Sequence, residues 1–315
     1  MPFNKPVPKA GAAINELEIG VGAGAIKLGG ENVLPFYVFD GEIKNAPKIG
    51  IEVSDLPFED APDGIKAFYA GTNSVAERVV KAASAEGADF VCLRFESADP
   101  NGADTSEDEC ARIAKEAADA LGDSKALVII GSKNADKDAK LFDKVAAALT
   151  DKNVLFVSAK EENYKTVAAS VGLAYNQKVA AESAVDINLA KQLNVLINQM
   201  GVQNQNIVMN IGSASAGYGF EYVISTMDRI KSAAMNQNDT TLQMPIFTPI
   251  STETWGVKES ISEESEMPTW GSREARGIDM EVMTAVSVLA SGSNAVMLRH
   301  PTSVATVSAL IKALV

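Results

Sequence analysis

The sequence predicts an α/β protein, a (β/α)8 TIM barrel with an N-terminal β-hairpin extension. Two observations carry that reading. From about residue 48 to the end, apolar runs of strand length alternate with segments of 3.6-residue apolar period, and eight such pairs fit in the 315 residues. The dinucleotide fingerprint of a doubly wound open sheet, the competing arrangement, is missing. Residues 22–27 (GAGAIK) lack the third glycine and lie in the wrong context. With 46% hydrophobic residues, the chain can bury a full core as one large domain or two modest ones.

Residues 14–20 (INELEIG) and 24–30 (GAIKLGG) alternate apolar and polar positions across a glycine-containing turn. That pattern predicts a hairpin capping the N-terminal end of the barrel. Residues 1–13 read as a flexible arm, so the chain divides into arm plus hairpin at 1–45 and the barrel at 46–315. Barrel strands are expected at 48–53, 89–95, 126–132, 154–159, 178–183, 207–211, 245–250 and 295–299. The helices between and after them are expected at 75–85, 107–121, 136–149, 164–171, 187–200, 222–234, 279–290 and 303–314. Ser106 with Glu109 three residues on, and Asp186 ahead of Leu189, supply helix caps. The longest connection, 251–271, holds both tryptophans, Trp255 and Trp270, among five glutamates. Tryptophans are costly to leave in water, so this segment reads as a lid or docking loop.

Net charge is −13, which would repel a phosphate backbone or an anionic membrane surface. No long apolar span or signal core is present, and the expectation is a cytoplasmic protein. Cys92 and Cys110 both read as buried thiols. Two cysteines cannot supply the four thiolates of a typical iron–sulfur cluster. A single histidine, His300, cannot make a His-rich metal site. No nucleophile elbow, phosphate loop or Asp-x-His-x-x-Gly corrinoid motif occurs, so no catalytic residue and no metal ligand is assigned.

In a barrel, polar residues at the strand ends open onto one face. Here these include Asp55, Glu96, Ser97, Asp99, Ser132, Lys133, Ser158, Lys160, Glu182, Ser183, Asp186, Asn210, Thr248, Arg299 and His300. Asp99 and Asp186 also suit turn and cap roles, and His300 suits a structural bond to a neighbouring loop. The most informative stretch is 207–230. A buried strand empties into Gly212, Ser213, Ala214, Ser215, Ala216 and Gly217, and Tyr218-Gly219 then opens a helix. Such a loop leaves backbone amides bare and lets something large approach the strand end.

Taken in order, FDGEIKNAPKIGIEV, GADFVCLRFESADPNGAD, KEENYKTV, DINLAKQLNVLIN, GYGFEYVISTMDRI, MPIF, WGSREARGIDMEVMTA and MLRHP carry a resemblance. The chain, from about residue 34 to 315, resembles the small subunit of the corrinoid iron–sulfur protein, called delta in the acetyl-CoA decarbonylase/synthase complex of methanogens. The resemblance implies a barrel paired as a heterodimer with a large subunit that carries the [4Fe–4S] cluster and a cobalamin domain. It also implies a place in the reductive acetyl-CoA (Wood–Ljungdahl) pathway. There the pair takes a methyl group from methyltetrahydrofolate, through a methyltransferase, and passes it to carbon monoxide dehydrogenase/acetyl-CoA synthase. The cobalamin would then be shared at the interface, with Asp99, Ser158, Ser183, Asn210, Gly212, Ser213, Ser215, Gly217, Tyr218, Gly219, Thr248 and His300 as the candidate contacts here. The family usually reads Asp-Pro where this chain has Asn210-Ile211. A methyltetrahydrofolate:corrinoid methyltransferase and a purely structural partner subunit are the competing readings.

Overall fold

Alternation along short parallel strands divides the apolar side chains of this chain into two separate cores. The computed structural model describes Phe3 and residues 10–315. The arm expected over residues 1–13 lies for the most part outside the described residues. Strands β1 (Leu17–Ile19) and β2 (Ile26–Leu28) pair antiparallel as the expected hairpin. The barrel strands are β3 (Lys48–Ser54), β4 (Phe90–Arg94), β5 (Ala126–Ile130), β6 (Leu155–Ala159), β7 (Lys178–Glu182), β8 (Ile207–Asn210), β9 (Phe247–Pro249) and β10 (Ala295–Leu298). They pair in parallel in the order β8-β7-β6-β5-β4-β3-β10-β9. A parallel bridge between Met209 and Ile246 closes the ring, with the Met209 amide donating to the Pro245 carbonyl at 2.8 Å.

One core fills the barrel lumen. Phe90, Cys92, Val128, Leu155, Val157, Ala180, Val208, Phe247 and Met297 point inward and meet Leu17, Ile19, Ile26 and Leu28 of the hairpin. The hairpin thus plugs the N-terminal end, and the ladder requires it to sit close. A Cβ on Gly24 would stand 2.5 Å from the Lys125 amide nitrogen at the foot of β5. The lumen is equally tight at Gly50, whose missing Cβ would lie 2.1 Å from the Phe90 ring. The second core lies between strands and helices, where Ile51, Val53, Leu93, Ile129, Phe156, Val179 and Met209 face outward.

The helices follow the expected rhythm, with differences at their ends. Ser106 accepts from the Glu109 amide and Asp186 from those of Asn188 and Leu189, as their spacing predicts. The helix expected from residue 279 begins six residues earlier, at Arg273, capped by Ser272 (Arg273–Ala290). Its polar opening, REARG, hides the apolar period. An extra helix, Asp63–Phe68, follows β3. The 251–271 connection carries two short helices, Ser251–Thr254 and Lys258–Ile261. Its tryptophans part company. Trp255 stacks beside His300 at 6.0 Å and fills the space over Gly277, whereas Trp270 stays on the surface beneath Lys258 and Arg276.

Candidate functional site

Toward the C-terminal ends of the strands the inward positions turn from apolar to polar. Glu52 of β3, Arg94 of β4, Glu182 of β7, Asn210 of β8 and Arg299 after β10 succeed the lumen hydrophobics. Glu52 is almost wholly buried. It accepts from Arg94 Nη1 at 3.2 Å and from Arg299 Nε and Nη2 at 3.2 and 3.3 Å. Burial alone would raise its pKa, but the charges of Arg299 and Arg94 win and hold it down to about 2. The floor of the mouth is therefore a desolvated, ionised cluster. Of its members a strand-end inventory holds only Arg299; for the other two the lone Glu in KIGIEV and the lone Arg in FVCLRF are the signal, since a charge in a buried strand needs a partner.

On the β5–β9 side, a small cavity of about 150 Å³ brings together Ser158, Asn210, Gly212 and Ser213 with Lys133, Lys160, Glu182 and Glu253. Asn210 organises it. Its Nδ2 donates to Ser158 Oγ at 2.8 Å and to Glu182 Oε2 at 3.2 Å, and its Oδ1 accepts from the Gly212 amide at 3.0 Å. Ser158 reaches the mouth because the pairing of β6 with β7 shifts register between Val157 and Ala159, which re-aims one side chain. Lys160 lies 3.6 Å from Glu182, and Lys133 3.8 Å from Glu253. An amide suits the 210 position physically, since it donates to the Glu182 carboxylate that a second acid would repel.

The small-residue loop runs past this cavity to the surface. Ser213 Oγ donates to the Pro249 carbonyl at 3.1 Å, while Ser215 is buried with its hydroxyl unpaired among the described residues. Gly217 and Gly219 both take positive φ, and no atom comes within 4 Å of the Cβ that Gly217 lacks. Tyr218 is half exposed on the rim, its hydroxyl donating to Glu259 at 2.7 Å.

The remaining candidates lie elsewhere. Asp99 Oδ1 accepts from the Asn101 amide at 2.9 Å and closes its own turn. Thr248 has the parity opposite to Phe247 and turns outward, 2.8 Å from Ser293 Oγ in the loop that leads into β10. Ser183 is buried beyond β7, its hydroxyl without a hydrogen-bond partner among the described residues. His300 accepts from the Thr302 amide through Nδ1 at 3.1 Å, capping the last helix, and holds Glu274 through Nε2 at 2.8 Å. Glu281 was hidden in the helix pattern. It is fully buried and accepts from the Arg299 and His300 amides at 2.6 and 3.2 Å, and its burial raises its pKa. Among the described residues, no group of three or more His, Cys, Asp or Glu is placed to hold a metal ion. No helix among them is long and apolar enough to cross a membrane.

Residues 16–301 match the family model for the CO dehydrogenase/acetyl-CoA synthase delta subunit. The chain is 31% identical over 293 residues to acetyl-CoA decarbonylase/synthase complex subunit delta 1 of Methanosarcina thermophila, covering 92% of this chain and 66% of that one. It is 30% identical to the Archaeoglobus fulgidus subunit delta (92% of this chain, 64% of that one). To the Methanothermobacter thermautotrophicus subunit it is also 30% identical (96% and 76%). It thus spans just under two thirds of the Methanosarcina thermophila relative's length. Among solved structures, Xanthomonas albilineans dihydropteroate synthase with 4-aminobenzoic acid superposes with a TM-score of 0.59 at 13% identity, covering 95% of this chain and 98% of that one. At that identity the likeness concerns the barrel fold alone.

Proposed function

This chain belongs to the CO dehydrogenase/acetyl-CoA synthase delta subunit family, and from that premise we propose that it is the corrinoid-covering subunit of a two-chain methyl carrier. In this reading the large partner subunit brings a [4Fe–4S] cluster and a cobalamin domain, and the pair works in the cytoplasm. The cobalamin would supply a cobalt that takes a methyl group from methyltetrahydrofolate and yields it to acetyl-CoA synthase. This chain's part is to cover, orient and exclude water.

The observation that carries the reading is the loop after β8. Gly212, Ala214, Ala216 and Gly217 offer an uncharged surface with little side-chain bulk, and the space over Gly217 is open. Such a surface fits the edge of a wide, flat macrocycle. Ser213 and Tyr218 are the hydroxyls within reach of its amide arms, because Ser215 is buried. The chain's single imidazole, His300, is committed to Glu274 and to its helix cap, which supports a cobalt left without a ligand from this chain. That suits a metal that must alternate between methylated and free states.

The test compares the purified chain alone with the chain co-expressed with its large subunit. Expected for the chain alone are no stoichiometric cobalt or iron by metal analysis, and no saturable heat on titration with methyltetrahydrofolate. Expected for the pair is a corrinoid spectrum. Tight pterin binding by the single chain, lost on Asn210→Ala, would support the methyltransferase reading instead. A corrinoid spectrum of the large subunit that is the same with and without this chain would leave it a structural partner only.

A further inference from the structure

Thr252 and Glu253 of the helix Ser251–Thr254, and Trp255 just after it, line two separate cavities of the barrel mouth. The cavity holding Asn210 lies on one side, and a larger one of about 490 Å³ lies on the other, toward β3 and β10. The larger one draws on none of the expected contact residues. Its floor is Glu52, Ser54, Glu96 and Arg299, and its walls are the 56–62 segment on one side and Trp255, Ser260 and Arg273 on the other. The volume is that of a small-molecule site.

Two arginines reach this cavity with donors to spare. Arg299 spends Nε and Nη2 on Glu52, and Nη1 has no partner among the described residues. Arg273 spends Nε on the Ser260 carbonyl at 3.1 Å and Nη1 on Glu263 at 2.9 Å, and Nη2 is likewise free. Glu52 is shared by Arg94 and Arg299, Arg94 also faces Glu96 and Arg273 faces Glu263, so what the site offers a ligand is unspent guanidinium donors rather than net positive charge. The same lining includes the apolar side chains of Leu56, Pro57, Phe58, Pro62 and Trp255. The exposed carboxylates of Glu59 and Asp60 stand at the rim, with Glu96 on the floor; all three oppose an anion in proportion to its charge, which disfavours a multiply charged ligand against a singly charged one.

The two walls are also fixed to one another. Glu274 Oε1 accepts from the Gly64 amide at 2.7 Å and lies 2.8 Å from His300 Nε2. A Cβ on Gly64 would stand 2.2 Å from that oxygen, so a side chain there would push the Glu274 carboxylate out of this join. A cavity clamped in this way is formed before a ligand arrives, which lowers the ordering cost of binding.

We propose that this cavity binds a small organic monocarboxylate with a flat apolar body, its carboxylate between the free donors of Arg299 and Arg273. The site is distinct from the loop after β8 and does not depend on the corrinoid reading. Arginine donors matched to a carboxylate supply the charge-assisted bonds, and the Trp255 and Pro57–Phe58 walls cover the body.

The probe is sodium benzoate, with inorganic phosphate as the comparison. The chain has two tryptophans, so Trp270→Phe leaves Trp255 as the only reporter, and calorimetry on the wild-type chain checks that the replacement is silent. Benzoate is expected to change Trp255 emission saturably and phosphate is not. Arg273→Gln, with an unchanged circular dichroism spectrum, is expected to weaken benzoate binding about tenfold, or about 1.4 kcal/mol. Absence of a saturable benzoate signal, tighter binding of phosphate, or full affinity in Arg273→Gln would each overturn the proposal.

Discussion

Replacing Glu52 by Gln removes one charge from the floor of the mouth and leaves two guanidinium groups without their shared carboxylate. The side chain of Glu52 is 1% exposed and those of Arg94 and Arg299 are 10% and 29% exposed, so solvent cannot replace the lost partner. A pKa held at about 2 against an ordinary 4.5 corresponds to about 3 kcal/mol of preferential stabilisation of the ionised form. Breaking a buried ion pair from one side costs about 3–5 kcal/mol, so the two routes agree on a loss near 3. Because the folded pKa is lowered, this stability is fully present above pH 4.5 and is lost as pH falls toward 2. Urea unfolding of wild type and Glu52→Gln at pH 7 and pH 5.5 should therefore give the same gap, about 3 kcal/mol, at both values. A triple replacement, Glu52→Leu with Arg94→Met and Arg299→Met, should recover much of it, since apolar packing can replace a complete buried ion cluster. A gap below about 1 kcal/mol at pH 7, or one that changes between pH 7 and 5.5, would refute this reasoning.

Two further perturbations probe the other end of the barrel. Lys231 Nζ meets Glu31 Oε1 at 2.8 Å and Asn294 Oδ1 at 3.0 Å, all buried, which ties the segment after the hairpin to the barrel base. Lys231→Met is expected to cost about 3–5 kcal/mol in urea unfolding, and Glu31→Gln added to it should restore part; an additive loss would contradict the pairing. Gly50→Ala forces a methyl into the Phe90 ring. It is expected to cost about 1–3 kcal/mol by thermal or urea unfolding, relieved by Phe90→Leu, and no loss would mean that the lumen is looser than described.

Most of the barrel is legible in the sequence because buried parallel strands and amphipathic helices leave opposite periodicities. Residues 48–53, 126–132 and 178–183 read as strands from their apolar runs; the structure lengthens the first by one residue, to Ser54, and ends the other two earlier, at Ile130 and Glu182. The hairpin plug follows from the alternation of Leu17, Ile19, Ile26 and Leu28. The missed helix starts are polar: Arg273–Ala290 begins with charged residues, and Asp63–Phe68 is too short to show a period. The site was half legible. Ser158, Asn210, Gly212 and Ser213 converge as strand-end logic expects. Thr248 and Asp99 do not join them: Thr248 has outward strand parity, and Asp99 takes the turn role that its sequence context also offered. The ionised floor at Glu52 was missed because a single charge in an apolar strand names no partner until the strands are in register.

The loop after β8 is best probed at Ser213. Gly217 has a φ of +88°, so any side chain there strains the backbone and would confound steric exclusion with local refolding. Ser213 has no such constraint and lines the cavity beside Asn210. Ser213→Phe gives up one hydrogen bond to Pro249, about 1 kcal/mol, and fills the approach to the mouth. The decisive measurement for the proposed methyl carrier is the rate of corrinoid methylation by methyltetrahydrofolate and its methyltransferase when this chain, carrying Ser213→Phe, is co-expressed with the proposed large subunit. Covering of the corrinoid by this loop predicts slower methylation and a more solvent-exposed corrinoid spectrum, with heterodimer formation intact. Wild-type methylation rates with an unchanged spectrum would contradict it.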